Sequence, residues 1–148
     1  MKLPLLIAIF GAAISGALAA LQTPTNAMLA RAVNSPVNAA LISFAVGTAA
    51  LLAISLGLGV RPNAAAVREL PVSAWLGGLY GAFFVTAAAF AAPRMGVAFF
   101  VAVLIGGQLM MAVLLDQLGA FGLPKVEITP GRLAGLGLIL AGVVLVRR

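Results

Sequence analysis

Polar side chains that could contact a solute are concentrated in an uncharged stretch near the N-terminus, residues 3–30. Ser15, Gln22 and Asn26 follow Gly11 at intervals of four, seven and four residues, so a helix would carry all of them on one face. Hydroxyl and carboxamide groups donate and accept hydrogen bonds without carrying charge. The pattern predicts a neutral polar stripe that lines a pathway for a solute.

A proline interrupts this stripe near its end. Pro24 has no N–H group to donate to the carbonyl group of Ala20, so a helix that passes through it kinks or opens there. Backbone groups freed at membrane depth need a polar partner or a water-filled cavity. We therefore assign Pro24 and the adjacent Thr25 to the same candidate pathway. The alternative is that this segment lies at the membrane interface, just outside a span over residues 3–21.

Two further polar residues lie in a later apolar stretch. Gln108 falls about midway between Gly96 and Gly119, where a carboxamide is costly unless it is paired. We interpret it as a substrate contact, and the alternative is a hydrogen bond between helices. Asp116 lies about 30 Å from Gly96 along a helix, near the interface. We expect a solvated helix terminus there, and the alternative is a carboxylate that couples transport to protons.

The composition leaves little for an enzyme to use. The 148 residues include no histidine and no cysteine, and the acids are Glu69, Asp116 and Glu127. These absences remove thiol nucleophiles, disulfides, zinc–cysteine sites and the commonest general base. We therefore expect no enzyme activity, no catalytic residues, no bound metal and no cofactor.

The chain is too apolar for a soluble protein. Apolar residues make up 64% of it and charged residues 8%, with a mean hydropathy of +1.20, whereas a soluble domain carries roughly a quarter charged residues. The net charge of +6 comes from scattered Lys and Arg residues, without the basic stripe and interleaved aromatic residues of a nucleic-acid-binding protein. The expected partner of most of the chain is the lipid bilayer, and nucleic acid is not expected.

Apolar windows between the charges predict membrane spans, since about 20 helical residues cross a bilayer. We predict an all-α integral membrane protein, a bundle of about five transmembrane helices in a single domain covering residues 1–148. The last window is short and needs Arg132, Arg147 and Arg148 to extend their charges outward. The first window also resembles a signal peptide cleaved after Ala19, but its apolar stretch runs on past that point, which favours a retained span. The predicted helices cover residues 3–30, 36–59, 71–93, 96–118 and 130–147.

Turn-forming residues separate these windows. Residues 34–36 (Asn-Ser-Pro) and residues 93–96 (Pro-Arg-Met-Gly) are predicted tight turns. Residues 59–71 are a predicted loop with a short surface helix over 64–70, and residues 119–130 are a second loop. Three prolines fall near helix starts, where the missing N–H group costs nothing: Pro36, Pro71 and Pro130.

The cations are almost balanced between the two faces that five spans would create. Orientation follows the Lys and Arg bias of short loops, and a difference of one cation hardly decides it. The same chain could therefore insert both ways, which is dual topology; the alternative is one orientation set by Lys2 or by a partner chain. One face carries Lys2, Arg61, Arg68, Lys125 and Arg132, and the other carries Arg31, Arg94, Arg147 and Arg148.

Glycines at helical spacing mark candidate packing surfaces, because small residues let helices approach closely in lipid. Gly77 and Gly81 lie one turn apart on the third predicted helix, and Gly135 and Gly142 lie on the fifth. Each spacing alone favours packing within the chain over dimerisation. The last helix nevertheless supplies the candidate dimerisation residues, Gly135 and Gly142.

These motifs, in this order on a five-span frame, carry a family resemblance over nearly all of the chain. The sequence resembles the short members of the drug/metabolite transporter superfamily, most closely the YdcZ-like group of about five spans. The segments that carry the resemblance are Pro24-Thr25-Asn26, residues 77–81 (GGLYG), residues 93–96 (PRMG), Gly107-Gln108, residues 116–119 (DQLG) and the span from Gly135 to Val143.

The resemblance implies a bundle whose first four helices surround a cavity and whose last helix pairs two units. A five-span chain would be half of a ten-helix inverted-repeat transporter, completed by a second copy or by a paralogous five-span chain. It also implies a multi-pass location in the bacterial cytoplasmic (inner) membrane. Small multidrug resistance relatives bind a cation or proton at a glutamate in the first helix. This chain has no acid there, which suits uncharged or zwitterionic metabolites better.

We therefore predict a membrane transporter for a small molecule, either a metabolite or a drug-like compound. It would work as a dimer by alternating access around a site at the repeat interface. The alternative is a non-transporting membrane subunit or scaffold that binds another membrane protein. An ion channel is a third hypothesis, but the sequence shows no charge ring or repeated carbonyl loop for a selectivity filter.

Overall fold

The computed structural model describes residues 3–147, and this part of the chain consists of helices, turns and loops without a β-strand. The prediction of an all-α membrane bundle of about five helices is confirmed, with four long apolar helices and one shorter one. A 3₁₀ turn, Ala120–Gly122, follows the sixth helix. The helices are α1 (Leu3–Ala32), α2 (Pro36–Gly57), α3 (Ala64–Arg68), α4 (Val72–Trp75), α5 (Gly77–Met95), α6 (Val97–Leu118) and α7 (Pro130–Val146).

Four helical segments are long and apolar enough to cross a membrane, which makes the chain a multi-pass membrane protein. They are α1, α2, the segment Val72–Met95 that joins α4 to α5, and α6. The fifth, α7, has 17 residues and a length of about 25 Å, short of a hydrocarbon core of about 30 Å. This shortness agrees with the short last window in the sequence.

Polar residues cap the helices where the sequence predicts turns. The Ser35 side chain accepts a hydrogen bond from the backbone N–H of Asn38 just before α2 begins at Pro36. Asn63 caps α3, which confirms the short helix in the loop after α2, and Thr129 caps α7. Each cap satisfies a backbone N–H group that the first turn of a helix leaves without a partner.

The predicted four-residue turn over residues 93–96 is wrong. Helix α5 continues through Pro93 to Met95, and only Gly96, with φ +85°, separates it from α6. Pro93 lies in the last turn of α5, where its missing N–H group costs the helix a single bond. The Arg94 guanidinium donates to the carbonyl oxygen of Phe90 and lies over the Phe90 ring, 3.6 Å from its centroid. These contacts hold the last turn together.

The chain divides into two compact units, with the boundary between Arg94 and Met95. In the first unit, Ala30, Ala39 and Ala89 form a buried cluster contributed by α1, α2 and α5. Since alanine side chains are small, the three backbones approach closely without any polar partner. In the second unit, α6 packs on α7 at Gly106, where a β-carbon would lie 3.4 Å from the side chain of Leu140.

Candidate functional site

Helices α1 and α2 enclose two adjoining clefts that share Ser43. The larger has a volume of about 480 Å³ and is lined by Thr25 and Asn26 of α1 and by Ser43 of α2, with apolar side chains around them. The smaller, of about 220 Å³, brings Gln22 of α1 close to Ser43 and Thr48 of α2. We call these two spaces together the α1–α2 cleft. Its polar residues are all uncharged.

The smaller part of the α1–α2 cleft reaches the middle of α2. Helix α2 has 22 residues, so it needs its full length of about 33 Å to cross the hydrocarbon core. Thr48 stands near the middle of α2, and Gln22 lines the same cleft as Thr48. Gln22 therefore lies opposite the middle of α2. Asn26 lies nearer the end of α1, six residues before Ala32, and Ala32 also lines the larger cleft. The pathway and interfacial positions of residues 22–26 both stay hypotheses.

The hydroxyl groups of α1 are satisfied by the helix itself. Ser15 donates to the carbonyl oxygen of Gly11 at 2.9 Å, and Thr23 donates to that of Ala19 at 3.1 Å. Thr25 donates to the carbonyl oxygen of Gln22 at 2.8 Å. Helix α1 continues through Pro24 as one helix, and none of these hydroxyls donates to the carbonyl oxygen of Ala20, which Pro24 leaves without its backbone donor.

Asn26 is the exception among the polar residues of α1. Its side chain lines the larger cleft, only 4% of the residue is exposed, and its Nδ2 atom is buried without a hydrogen-bond partner. A buried donor without a partner costs about 1–3 kcal/mol. Unpaired buried polar groups are rare in native structures, and each calls for an explanation.

The predicted pathway residues are only partly brought together. Gln22, Thr25 and Asn26 line the α1–α2 cleft, and Pro24 is half-buried beside them. Ser15 is exposed and does not line it. Gln108 belongs to the second unit and is exposed, and its side chain makes no hydrogen bond within that unit.

Two polar residues of the cleft were missed from the sequence, Ser43 and Thr48 on α2. A signal existed, because Ser43 and Gly47 are four residues apart and therefore share a helix face. That signal is weak in a helix where Ser, Thr and Gly also serve packing. Only the pairing of α2 with α1 shows which face of α2 matters.

Asp116 lies at the corner between α6 and α7 and is ion-paired. Its Oδ2 atom is 3.0 Å from the guanidinium of Arg132, and both side chains are about one-third exposed. The backbone oxygen of Asp116 accepts from the N–H of Val126, and the Gln117 side chain accepts from the N–H of Ile128. These bonds fix the loop after α6 against the start of α7. A coupling role for Asp116 stays a prediction.

A cleft of about 260 Å³ runs between α6 and α7 beside this ion pair. Its lining includes Val113, Gly135 and Ile139. Gly135 and Gly142 do not hold α6 and α7 together, since a β-carbon at either would meet no atom within 4 Å. Gly81 differs, because a β-carbon there would lie 3.0 Å from the Phe44 ring. Gly135 thus faces the cleft between α6 and α7 and Gly142 has no close neighbour, whereas Gly81 packs within the chain.

Among residues 3–147, no group of three or more acidic, histidine or cysteine side chains is placed to hold a metal ion. The chemistry available in the α1–α2 cleft is therefore hydrogen bonding through uncharged groups, beside apolar contacts.

The sequence matches one protein-family model over residues 7–145, and the description of that family is "Putative inner membrane exporter, YdcZ". The match covers nearly the whole chain, including every long helix. No curated protein and no solved structure shows significant similarity to the chain.

Proposed function

The chain belongs to the YdcZ family of inner membrane exporters, and on that premise we propose that it carries a small molecule across the bacterial inner membrane through the α1–α2 cleft. Gln22, Thr25 and Asn26 of α1 face Ser43 and Thr48 of α2 along the route, and Pro24 interrupts the backbone ladder beside them. Ser15 lies further along α1 and would contact the solute only beyond the cleft.

One observation carries this proposal: uncharged polar side chains from two long apolar helices, α1 and α2, line the same cleft. Polar groups inside membrane spans are expensive in lipid and are typical of substrate pathways. The unpartnered amide of Asn26 strengthens the argument, because a solute would supply the missing hydrogen bond. Self-satisfied hydroxyls such as that of Thr23 would not require a solute.

The transport unit in this proposal is a dimer that works by alternating access. One chain offers clefts that open to its own surface, and a second five-helix half would close them. Gly135 and Gly142 of α7 are the candidate residues for that pairing, because small residues without close neighbours let a second helix approach. The nearly equal cation counts of the two faces suit a homodimer of oppositely inserted copies.

Metabolite profiling of the culture medium tests the proposal. Bacteria that express the wild-type chain, the Gln22→Leu variant or an empty vector are compared by mass spectrometry. We expect at least one solute to accumulate in the medium with the wild-type chain and to fall by severalfold with Gln22→Leu. Purified protein in liposomes should then move that solute.

A matched control uses Thr23→Val, which removes a hydroxyl that bonds only its own helix and lies outside the cleft. Its medium should match that of the wild-type chain. If no solute distinguishes the wild-type chain from the vector, the transporter proposal is wrong and the scaffold hypothesis gains support. Membrane levels of each variant are measured in the same cells.

A further inference from the structure

The α1–α2 cleft has an uncharged lining. None of its lining side chains carries a charge. Its polar groups are the amides of Gln22 and Asn26 and the hydroxyls of Thr25, Ser43 and Thr48. An ion entering this cleft would leave its hydration shell without meeting an opposite charge, which is unfavourable at membrane depth.

Asn26 also lacks a hydrogen-bond partner in this uncharged cleft. Its Nδ2 atom is buried and lacks an acceptor in the described chain, although the residue lines the larger cleft. The Thr25 hydroxyl already donates to a backbone oxygen of its own helix. A half-turn of the Asn26 carboxamide exchanges its nitrogen and oxygen, so that Nδ2 faces the cleft and Oδ1 takes the buried position. With Nδ2 turned to the cleft, Asn26 needs a hydrogen-bond acceptor from a solute.

We propose that Asn26 is the specificity-determining residue of the α1–α2 cleft, and that it selects uncharged solutes presenting a carbonyl or hydroxyl oxygen. The Asn26 amide donates to that oxygen, while the apolar part of the solute contacts side chains such as Leu29 and Val46. This inference rests on the proposed function, whose transport role it narrows to one substrate class. It disfavours organic cations, anions and zwitterions, because no charged side chain lines the cleft to pair with them.

Three probes of nearly equal size and shape test this selection: benzamide, benzamidinium and benzoate. Benzamide is neutral and offers a carbonyl oxygen, benzamidinium is a cation without an acceptor, and benzoate is an anion. Binding to the purified full-length protein in lipid nanodiscs is measured by ligand-observed NMR titration. We expect the wild-type protein to bind benzamide at least tenfold more tightly than either ion, as a cleft without charge requires.

The Asn26→Leu variant then separates a ligand-binding role from a structural one. Loss of one neutral hydrogen bond should weaken benzamide binding by about two- to tenfold. The melting temperature of the empty protein should stay equal or rise, since the substitution removes a buried donor without a partner. A purely structural Asn26 would instead lower the melting temperature. Thr23→Val is the control, because its hydroxyl bonds only its own helix, and it should leave benzamide binding unchanged.

The inference is overturned if the wild-type protein binds an ion as tightly as benzamide, if it binds none of the three probes, or if Asn26→Leu binds benzamide like the wild type. The wild-type ranking needs no variant, so a folding defect would not hide the result. Failure here is distinct from failure of the proposed function. A protein that exports a solute in the profiling experiment but binds ions equally well would remain a transporter with a different selectivity.

Discussion

At the scale of single residues, Gln108 is a polar side chain in the apolar helix α6. It lies near the middle of α6, is exposed, and has no hydrogen-bond partner for its side chain within the second unit. An amide facing lipid at that depth would be costly. The inter-helix hydrogen bond considered from the sequence is not formed within the second unit. A substrate contact for Gln108 stays a prediction.

We expect Gln108→Leu to reduce transport of the exported solute by about two- to tenfold, the effect of one lost neutral hydrogen bond. Flux is measured in liposomes containing the purified variant. The matched control is Met110→Leu, also exposed on α6, which should transport at the wild-type rate. Unchanged flux in Gln108→Leu would remove this residue from the pathway. A weakened dimer on gel filtration would assign it to the contact between copies.

Helical spacing predicted which polar residues share one face of α1, but it did not show which of them line the cleft. Gln22 and Asn26 line the α1–α2 cleft. Spacing alone predicted the same role for Ser15, but the Ser15 side chain donates to the backbone of its own helix. Whether a hydroxyl bonds its own backbone depends on its side-chain torsion, which no residue pattern reveals. The burial of Asn26 depends on the packing of neighbouring helices and was likewise beyond the sequence.

At the scale of helices, the contact between α2 and α5 depends on one glycine. A β-carbon at Gly81 would lie 3.0 Å from the end of the Phe44 ring, whereas one at Gly77 would meet nothing within 4 Å. The two glycines are one turn apart on the same helix. They therefore form a matched pair in which only Gly81 is needed for close packing.

We expect Gly81→Leu to lower the free energy of unfolding by about 1–3 kcal/mol, because the added side chain overpacks this contact. Gly77→Leu should change it by less than about 0.5 kcal/mol, as is usual for exposed positions. Thermal unfolding of the purified variants in detergent measures both. Phe44→Ala should restore much of the loss in the double variant. Equal effects of the two substitutions would show that Gly81 has no special packing role.

Helix boundaries were predictable where a cap or a proline marks a helix start, as at Pro36, Asn63 and Pro130. They were not predictable at Pro93, because a proline in the last turn looks in sequence like one in a turn. In the last turn of a helix the missing N–H group of a proline costs only one bond, so α5 continues to Met95. The pairing of Asp116 with Arg132 also needed the fold, since 16 residues separate them.

At the scale of the whole molecule, the distribution of cations bears on the direction in which the chain inserts into the membrane. Its cations divide five to four between the two faces that five spans define, and such a small bias does not fix the direction of insertion. The α1–α2 cleft opens to the side of one chain and leaves room for a second copy. An antiparallel pair would join two halves of opposite topology, the arrangement of inverted-repeat transporters.

Two single-cysteine variants measure orientation directly, since the chain has no native cysteine. Ala64→Cys lies in the short helix α3, and Met95→Cys ends α5 on the opposite face of the predicted topology; neither change alters a charge. Intact cells are labelled with an impermeant thiol reagent and then labelled again after lysis. For dual topology we expect about half of each cysteine to react before lysis. Complete labelling of one site and protection of the other would mean a single orientation. The antiparallel homodimer would then be wrong, and the second half would have to come from a paralogous chain inserted the other way.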